Sequence, residues 1–217
     1  MTKDVNTRRP YFAPHRAEQA AATRRAVLAA ARDLFISRGY AATTVAAIAA
    51  RAEVAVDTVY AAVGRKPVLL RELVETAISG TDRAVPGAER EYVARMRAEP
   101  TARARLAIYA EAVVGIQERL APVFIALREA ASRDPACAQL WAEISQRRAH
   151  NMRALAAGLR STGDVRDDLT DDEVADVIWS MNATEFWVLL VVERGWTPRQ
   201  FGEWLADAWS RLLLSGT

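Results

Sequence analysis

Three polar side chains near residue 60 have the types and spacing to contact a nucleic acid. Thr58 and Tyr60 lie two positions apart in a short predicted helix, and their hydroxyl groups can reach phosphate oxygens. Lys66 follows in the first turn of the next predicted helix, where its ammonium group can add an ionic contact. Small polar groups on such a helix can also face base edges in a major groove.

Residues suited to catalysis or metal binding are sparse in this sequence. It has no glycine-rich phosphate loop, no Ser/His/Asp set and no metal-ligand spacing. Cys137 is the single cysteine, and His15 and His150 are the two histidines, which argues against an internal disulfide framework and a zinc enzyme. His150 could be combined on paper with Glu143 or Cys137, but no further feature supports such a site. We therefore predict a protein that is not an enzyme and needs no metal or cofactor.

The elements around residue 60 form a recognisable pattern. A helix is predicted from about Arg16 to Arg38 and ends at Gly39. Thr43 or Thr44 then caps a short helix, and a second short helix is predicted over 56–63. Pro67 suits the first turn of a fourth helix that continues to about residue 79. Two short helices joined by a tight turn after a packing helix describe a helix-turn-helix. The alternative that this pattern alone leaves open is a helical corner that packs and binds nothing.

The rest of the chain is also predicted to be helical. Of the 217 residues 51% are hydrophobic and 7% aromatic, and alanine is abundant, which favours helices over sandwiches or barrels. Thr101 caps a helix to about residue 120, Pro122 opens another, and Asp134-Pro135 starts a third to about residue 160. Capping boxes at Thr170 and Thr197 open the last two helices. The expected fold class is all-α, with about nine helices.

Charge is unevenly distributed along the chain. Residues 1–80 carry 12 Lys/Arg against 7 Asp/Glu, whereas residues 81–217 carry 17 against 20. A basic front suggests that this end meets a polyanion. Residues 1–15 are expected to form a disordered basic tail. The longest strongly apolar stretch, 186–192, is far shorter than the roughly 20 residues that span a bilayer, and the start lacks the apolar core of a signal peptide. A cytoplasmic location without a membrane partner is expected.

The front of the chain resembles the N-terminal domain of the TetR family of bacterial repressors. The resemblance covers about 50 of the 217 residues. It is specific because the Phe–Gly–Tyr–Thr–Thr run, the Thr-x-Tyr pair and the Lys-x-x-x-Leu pattern occur at the family's spacing. The residues that carry it are Thr23-Arg24, Ala29-Ala30-Ala31-Arg32-Asp33-Leu34-Phe35, Arg38-Gly39-Tyr40, Thr43-Thr44-Val45, Ile48-Ala49, Val54, Thr58-Val59-Tyr60 and Lys66-Pro67-Val68-Leu69-Leu70.

The resemblance implies an all-helical homodimer whose N-terminal domains, here 16–66, bind a palindromic operator. The C-terminal domains, here 67–217, would bind a small effector that weakens DNA binding. Thr44 would cap the second helix and touch a phosphate, while Tyr60 and Lys66 would hold phosphates. The full set of implied DNA contacts is Arg24, Thr44, Ala46, Val56, Asp57, Thr58, Tyr60, Ala62 and Lys66.

The sequence departs from the family pattern in the helix-turn-helix. Glu53 stands where glycine is usual, so we expect the left-handed turn to be lost or strained. Ala55 replaces the usual serine cap, which costs on the order of 1 kcal/mol. Val63 replaces an aromatic residue, and alanines occupy 46, 61 and 62. Few side chains remain that can hydrogen-bond to bases, so specificity would depend on Asp57, Thr58, methyl contacts and DNA shape.

The last two helices are predicted to form the dimer interface. The stretch 186–192 is apolar on all sides and must bury both faces, one of them against a twin subunit or, alternatively, within its own core. In the final helix, large apolar residues recur at helical spacing. The interface set is Val188, Val192, Phe201, Trp204, Leu205 and Trp209.

Candidate effector contacts are large or polar-tipped residues on the middle helices, where the family's pocket lies. They are Tyr109, Val113, Gln117, Phe124, Arg128, Trp141, Ile144, Trp179 and Asn182, with Arg148 on the same face as Trp141 and Ile144. The alternative for each is an ordinary core position. We expect a mostly apolar effector oriented by one or two polar groups such as Gln117, Arg128 or Asn182.

The expected function is therefore a transcriptional repressor released from its operator by this effector. Two alternatives stay open at this point: a regulator that acts through a protein partner with weak DNA binding, and a helical enzyme.

Overall fold

The computed structural model describes residues 13–216 and confirms the all-α prediction. The elements are α1 (Ala13–Arg38), α2 (Val45–Arg51), α3 (Val56–Ala62), α4 (Lys66–Ser79), a 3₁₀ turn (Gly87–Glu89), α5 (Glu91–Ala98), α6 (Ala102–Ala131), α7 (Pro135–Arg160), α8 (Asp171–Met181), α9 (Thr184–Trp187), a π-helix (Val188–Glu193) and α10 (Pro198–Leu213). Of the predicted disordered tail 1–15, residues 13–15 are instead the first turn of α1, and residues 1–12 lie outside the described part.

Side-chain caps begin the helices where the sequence predicts them. Thr44 Oγ1 accepts a hydrogen bond from the Ala47 amide at 3.1 Å, and Thr101 caps α6 in the same way. Asp134 accepts from the amides at the start of α7. Complete capping boxes, Thr170 with Glu173 and Thr197 with Gln200, open α8 and α10. Local signals of this kind depend only on neighbouring residues.

Two predicted boundaries are wrong. Pro122 does not open a helix, because α6 runs for 30 residues with Pro122 inside it. A proline removes one backbone hydrogen bond, and the buried face that continues through Val123 and Leu127 offsets that loss. The helix that is predicted to begin at Thr170 and to include the apolar stretch 186–192 is broken after α8, at Asn182 and Ala183.

Buried apolar residues form two clusters that share α6 and α7. The N-terminal core joins α1–α4 to residues 120–130 of α6 and 137–144 of α7. The C-terminal core joins α5, residues 102–121 of α6 and 152–159 of α7 to α8–α10. The boundary at 66/67 stays a prediction, and the N-terminal core crosses it because Leu69, Leu70 and Val74 of α4 are fully buried there.

None of the described helices is by itself long and apolar enough to span a membrane. Helix α8 joined to α9 and the π-helix reaches that length only as a pair bent by 42°.

Candidate nucleic-acid interface and ligand cavity

The helix-turn-helix is fixed by a small buried set beneath α2 and α3. Ile48, Ala49 and Val59 are almost completely buried against α1. Thr43 Oγ1 donates to the backbone carbonyls of Leu34 and Gly39, which joins the end of α1 to the start of α2. These contacts fix α2 and, through the buried Val59, α3 in position on α1.

The turn between α2 and α3 keeps the left-handed geometry without glycine. Glu53 has a φ of +56°, the one positive φ of a non-glycine residue in the described chain. A side chain in this region is strained by contact between its Cβ and the backbone. Ala55 precedes α3 and makes no side-chain cap, as its alanine side chain predicts. The local backbone therefore carries two costs that the family pattern avoids.

The opposite face of α3 is open to solvent. Tyr60 is 47% exposed and Val56 39% exposed, and Asp57 is also exposed. Thr58 and Ala62 are half-buried at the edges of this face. Thr44 and Ala46 of α2 are exposed as well. A convex helix face with short side chains, next to a second helix N-terminus, fits the shape of a major groove.

Two of the residues that are expected to contact DNA interact with other residues of the protein. Lys66 Nζ donates to the Tyr40 carbonyl oxygen at 2.7 Å and lies 4.2 Å from the centre of the Tyr40 ring. Partial burial lowers the pKa of Lys66. Arg24 pairs with Glu72 at 2.6 Å and so connects α1 to α4. Sequence reasoning missed both partners, because Tyr40 lies in the turn after α1 and Glu72 lies on α4, each far along the chain from the residue it contacts. Phosphate binding by Lys66 and Arg24 stays a prediction.

A cavity of about 230 Å³ lies among α4–α7, the 3₁₀ turn and the break between α8 and α9. It is lined by six of the nine residues predicted to contact an effector: Tyr109, Val113, Gln117, Phe124, Ile144 and Asn182. Arg148 also lines it. The other three predicted residues lie elsewhere. The Trp141 ring stacks on the Phe124 ring, with 4.6 Å between the ring centroids. The Trp179 ring lies against the Arg148 guanidinium, 4.9 Å away, and Arg128 pairs with Glu185 at the surface.

Sequence reasoning missed the wall that α5 and the second half of α7 supply. Tyr92, Val93 and Met96 come from α5, and Met152 and Leu155 come from α7. The amphipathic spacing of these residues signals burial but not whether the covered space is filled. Arg90, Arg97 and Arg105, which were not considered as ligand contacts, also line the cavity.

A polar network closes the inner end of the cavity at the break between α8 and α9. Asn182 Nδ2 donates to Tyr109 Oη at 2.8 Å, and Asn182 Oδ1 accepts from Arg148 Nη2 at 2.6 Å. Gln117 Nε2 donates to the Asn182 carbonyl oxygen, and Thr184 Oγ1 donates to Gln117 Oε1. Burial raises the pKa of Tyr109, which stays a neutral phenol. These contacts explain why the predicted continuous helix breaks at Asn182.

The predicted dimer residues divide between surface and core. Val192 is 65% exposed, while Val188 and Trp204 are half-buried. Phe201, Leu205 and Trp209 are fully buried in the C-terminal core of their own chain, so they cannot form a dimer surface. The reason is that α10 packs closely on α6.

Gly202 makes this close packing possible. A Cβ atom at Gly202 would lie 2.9 Å from Val114 Cγ2. The exposed large apolar side chains of the π-helix and α10 are Leu189, Val192 and Leu212.

Comparisons with known proteins agree with this architecture. The model of the bacterial regulatory proteins of the tetR family matches residues 27–73. NalD, the secondary repressor of the MexAB-OprM multidrug efflux pump in Pseudomonas aeruginosa, superposes with a TM-score of 0.67 at 23% identity, over 92% of this chain and 100% of that one. A protein assigned to the TetR family from Mesorhizobium loti gives 0.66 at 18%, over 91% and 99%.

A third similar structure contains a small molecule. A protein assigned as a transcriptional regulator from Saccharomonospora viridis, in complex with choline, gives a TM-score of 0.68 at 19% identity, over 88% of this chain and 97% of that one. No curated protein sequence matches the chain. Residues 27–73 thus match the tetR family of bacterial regulatory proteins, and the chain shares its fold with solved structures of TetR-family transcriptional regulators.

Proposed function

We propose that this protein is a homodimeric repressor that binds a palindromic operator through α2 and α3 and leaves it when a small molecule fills the cavity. The observation that carries the proposal is the exposed face of α3, formed around Asp57 and Tyr60 on a buried Val59. It acts by binding and not by catalysis, in the cytoplasm where the operator is accessible. The DNA contacts are proposed to be those expected from the sequence.

The helices that line the cavity also support the DNA-binding domain. Ile78, near the end of α4, lines the cavity, while Lys66 at the start of α4 bonds to Tyr40 beside the helix-turn-helix. Tyr40 Oη also donates to Asp134 Oδ2 at 2.9 Å, at the start of α7. A ligand that favours one placement of α4 and α7 would thereby change the separation of the two recognition helices in a dimer.

The dimer is proposed to form through the π-helix and the outer face of α10. Leu189 and Val192 are more than half exposed, and Leu212 is 46% exposed. Burial of these side chains against a second copy would remove apolar surface from water. The two recognition helices should then be about 34–36 Å apart, or a small multiple of that distance, to reach successive major grooves.

The test is a titration of labelled DNA from upstream of the protein's own gene, at several stated salt concentrations. Tyr60→Phe should weaken binding to all sequences, because only a phosphate contact is removed. Asp57→Ala should change the sequence preference by about 1–3 kcal/mol at one base pair in each half-site. Arg153→Gln is the control, because Arg153 is exposed on α7 in the C-terminal half of the chain.

Transcription in vitro from the same DNA separates repression from activation, since a repressor lowers the transcript level. A folded dimer that binds none of its upstream DNA would contradict the proposal and favour regulation through a protein partner. The alanines at positions 46, 61 and 62 are the observation behind that second candidate, because they cannot hydrogen-bond to bases.

A further inference from the structure

The charges that line the cavity have one sign. Four arginines contribute to the wall: Arg90, Arg97, Arg105 and Arg148. Within the described part of the chain, no Asp or Glu side chain lines the same space. The remaining wall is mainly apolar, with Tyr92, Met96 and Leu155 among its members. A cation entering this cavity would meet like charge, whereas an anion would meet its complement.

Arg148 is the arginine at the inner end of the cavity. Its Nη2 atom donates to the Trp179 carbonyl oxygen at 2.8 Å and to Asn182 Oδ1 at 2.6 Å. Its guanidinium plane lies 4.9 Å from the Trp179 ring. Both acceptors are neutral, and Arg148 takes part in none of the ion pairs found among residues 13–216. Burial lowers the pKa of Arg148, although a guanidinium stays charged at neutral pH.

The other polar groups at this end have already found partners. Gln117 uses its amide nitrogen and its amide oxygen within the chain, and Asn182 does the same. Glu185, whose charge reaches Arg148, is bonded to Arg128 at 3.3 Å. Arg105 donates to the carbonyl oxygens of Glu99 and Gly158, and Arg90 donates to that of Val85. The Arg148 guanidinium, with five donors in a planar fork, therefore keeps donors for a ligand.

We propose that the effector is an apolar monocarboxylate whose carboxylate pairs with Arg148 while its apolar body packs against Tyr92, Val93, Met96 and Leu155. This inference rests on the proposed ligand-binding function and names the class of ligand. A planar carboxylate matches the planar fork of arginine. A cavity of about 230 Å³ holds one such group and a ring system or short chain. Asn182 is a positioning residue, because its Oδ1 atom accepts from Arg148, and Tyr109 acts through Asn182 by accepting from its Nδ2 atom.

Arg148 also caps the carbonyl end of α8 through Trp179, so a purely structural role must be distinguished from ligand binding. A structural arginine would be needed for stability but would not discriminate between ligands by charge. A carboxylate-binding arginine should determine that discrimination. The two roles therefore differ in what Arg148→Gln does to the ratio of affinities, whatever it does to the melting temperature.

The experiment uses the full-length dimer and measures dissociation constants by calorimetry and the shift in melting temperature. The probes are three apolar scaffolds, 1-naphthylacetate, indole-3-propionate and 4-phenylbutyrate, each also as its primary amide and as the corresponding amine. We expect the carboxylates to bind at least about tenfold more tightly than the amides, and the amines not to bind. Arg148→Gln should remove the preference for carboxylate, and Arg148→Lys should keep part of it.

Arg153→Gln is the matched control, since it removes one charge from an exposed position of the same helix. It should leave both the affinities and their ratio unchanged. Amides or amines that bind as well as carboxylates, or a preference that survives Arg148→Gln, would overturn the carboxylate assignment and leave ligand binding intact. Binding of no probe in any charge form would count against both this assignment and the proposed effector function. DNA titrations of the same preparations show whether operator binding stands independently.

Discussion

Helices α6 and α7 run through both halves of the molecule but pack differently at their two ends. Near the helix-turn-helix, Val123, Leu127 and Leu140 are essentially completely buried against α1 and α4. Toward the other end the same helices line the cavity and present polar side chains, Gln117 and Arg148, to its interior. An apolar side chain can be packed by any apolar neighbour, whereas a polar one requires a directed partner. Two similar stripes of buried residues thus lead to closely packed side chains at one end and to a cavity at the other, with Phe124 and Ile144 at the boundary between them.

The largest expected contrast comes from shortening leucines at the two ends. Leu127→Ala should destabilise the protein by about 3 kcal/mol, because it opens a void in a filled core. Leu155→Ala, on the half-buried cavity wall, should cost only about 1 kcal/mol because it enlarges an existing space. Urea unfolding of both variants measures the difference. Equal losses would show that the cavity end is as tightly packed as the other.

Replacing valine by leucine at two positions of α6 should change the stability of the protein in opposite directions. Val113→Leu adds a methylene to the cavity wall and should stabilise the unliganded protein by about 0.8 kcal/mol. Val123→Leu overfills the N-terminal core and should destabilise it by about 2 kcal/mol. Thermal melting without ligand gives both values. If both substitutions destabilise equally, the contrast between the two ends of α6 is wrong.

The contact between Tyr40 and Asp134 tests how the two ends are joined. Burial acts to raise the pKa of Asp134, but hydrogen bonds from Tyr40 and from the amides of Ala136 and Cys137 outweigh it and hold that pKa below its ordinary value. The contact therefore adds stability above about pH 4, and this stability is lost as the pH falls through the lowered pKa.

Tyr40→Phe should cost about 1 kcal/mol at pH 7, because the lost hydrogen bond is to a half-buried carboxylate, and almost nothing near pH 2. Urea unfolding at the two pH values measures the change. Asp134→Asn is the companion variant and should remove the same loss of stability between neutral and acid pH. A penalty for Tyr40→Phe that is independent of pH would indicate that the carboxylate does not take part.

The smallest expected effects concern the turn before α3. Glu53→Gly removes a strained positive φ, and Ala55→Ser supplies the absent helix cap. Each should stabilise the protein by about 0.5–1 kcal/mol. Differential scanning calorimetry detects the resulting rise in melting temperature. Ala50→Ser, at an exposed position inside α2, is a control that should not stabilise.

What the sequence predicts well is what depends on neighbouring residues. The caps at Thr44, Thr170 and Thr197 and the uncapped Ala55 follow from three or four adjacent positions. The break at Asn182 could not be predicted, because it depends on side chains from α6 and α7. The apolar stripe of α10 shows that residues are buried but not whether the partner is the same chain or a second copy.

The cavity shows the same limit for the candidate site. Tyr109, Gln117 and Asn182 were identified because they are large or polar on an apolar face. Arg90 and Arg97 belong to a charged segment whose periodicity resembles that of any exposed helix, so only the fold brings them to the cavity. Site residues near one another in sequence are found by pattern, while those brought together by packing require the structure.

Pro122 gives α6 a mechanical property that the neighbouring helices do not share. Proline has no N–H to donate to the carbonyl oxygen of Glu118, so one backbone hydrogen bond is missing about two-thirds of the way along this 30-residue helix. A helix bends most readily where one of its backbone hydrogen bonds is missing. Elastic deformation that begins at the cavity should therefore concentrate between Glu118 and Pro122. The part of α6 after Pro122 can then reorient as one unit beneath the helix-turn-helix, without losing its helical structure.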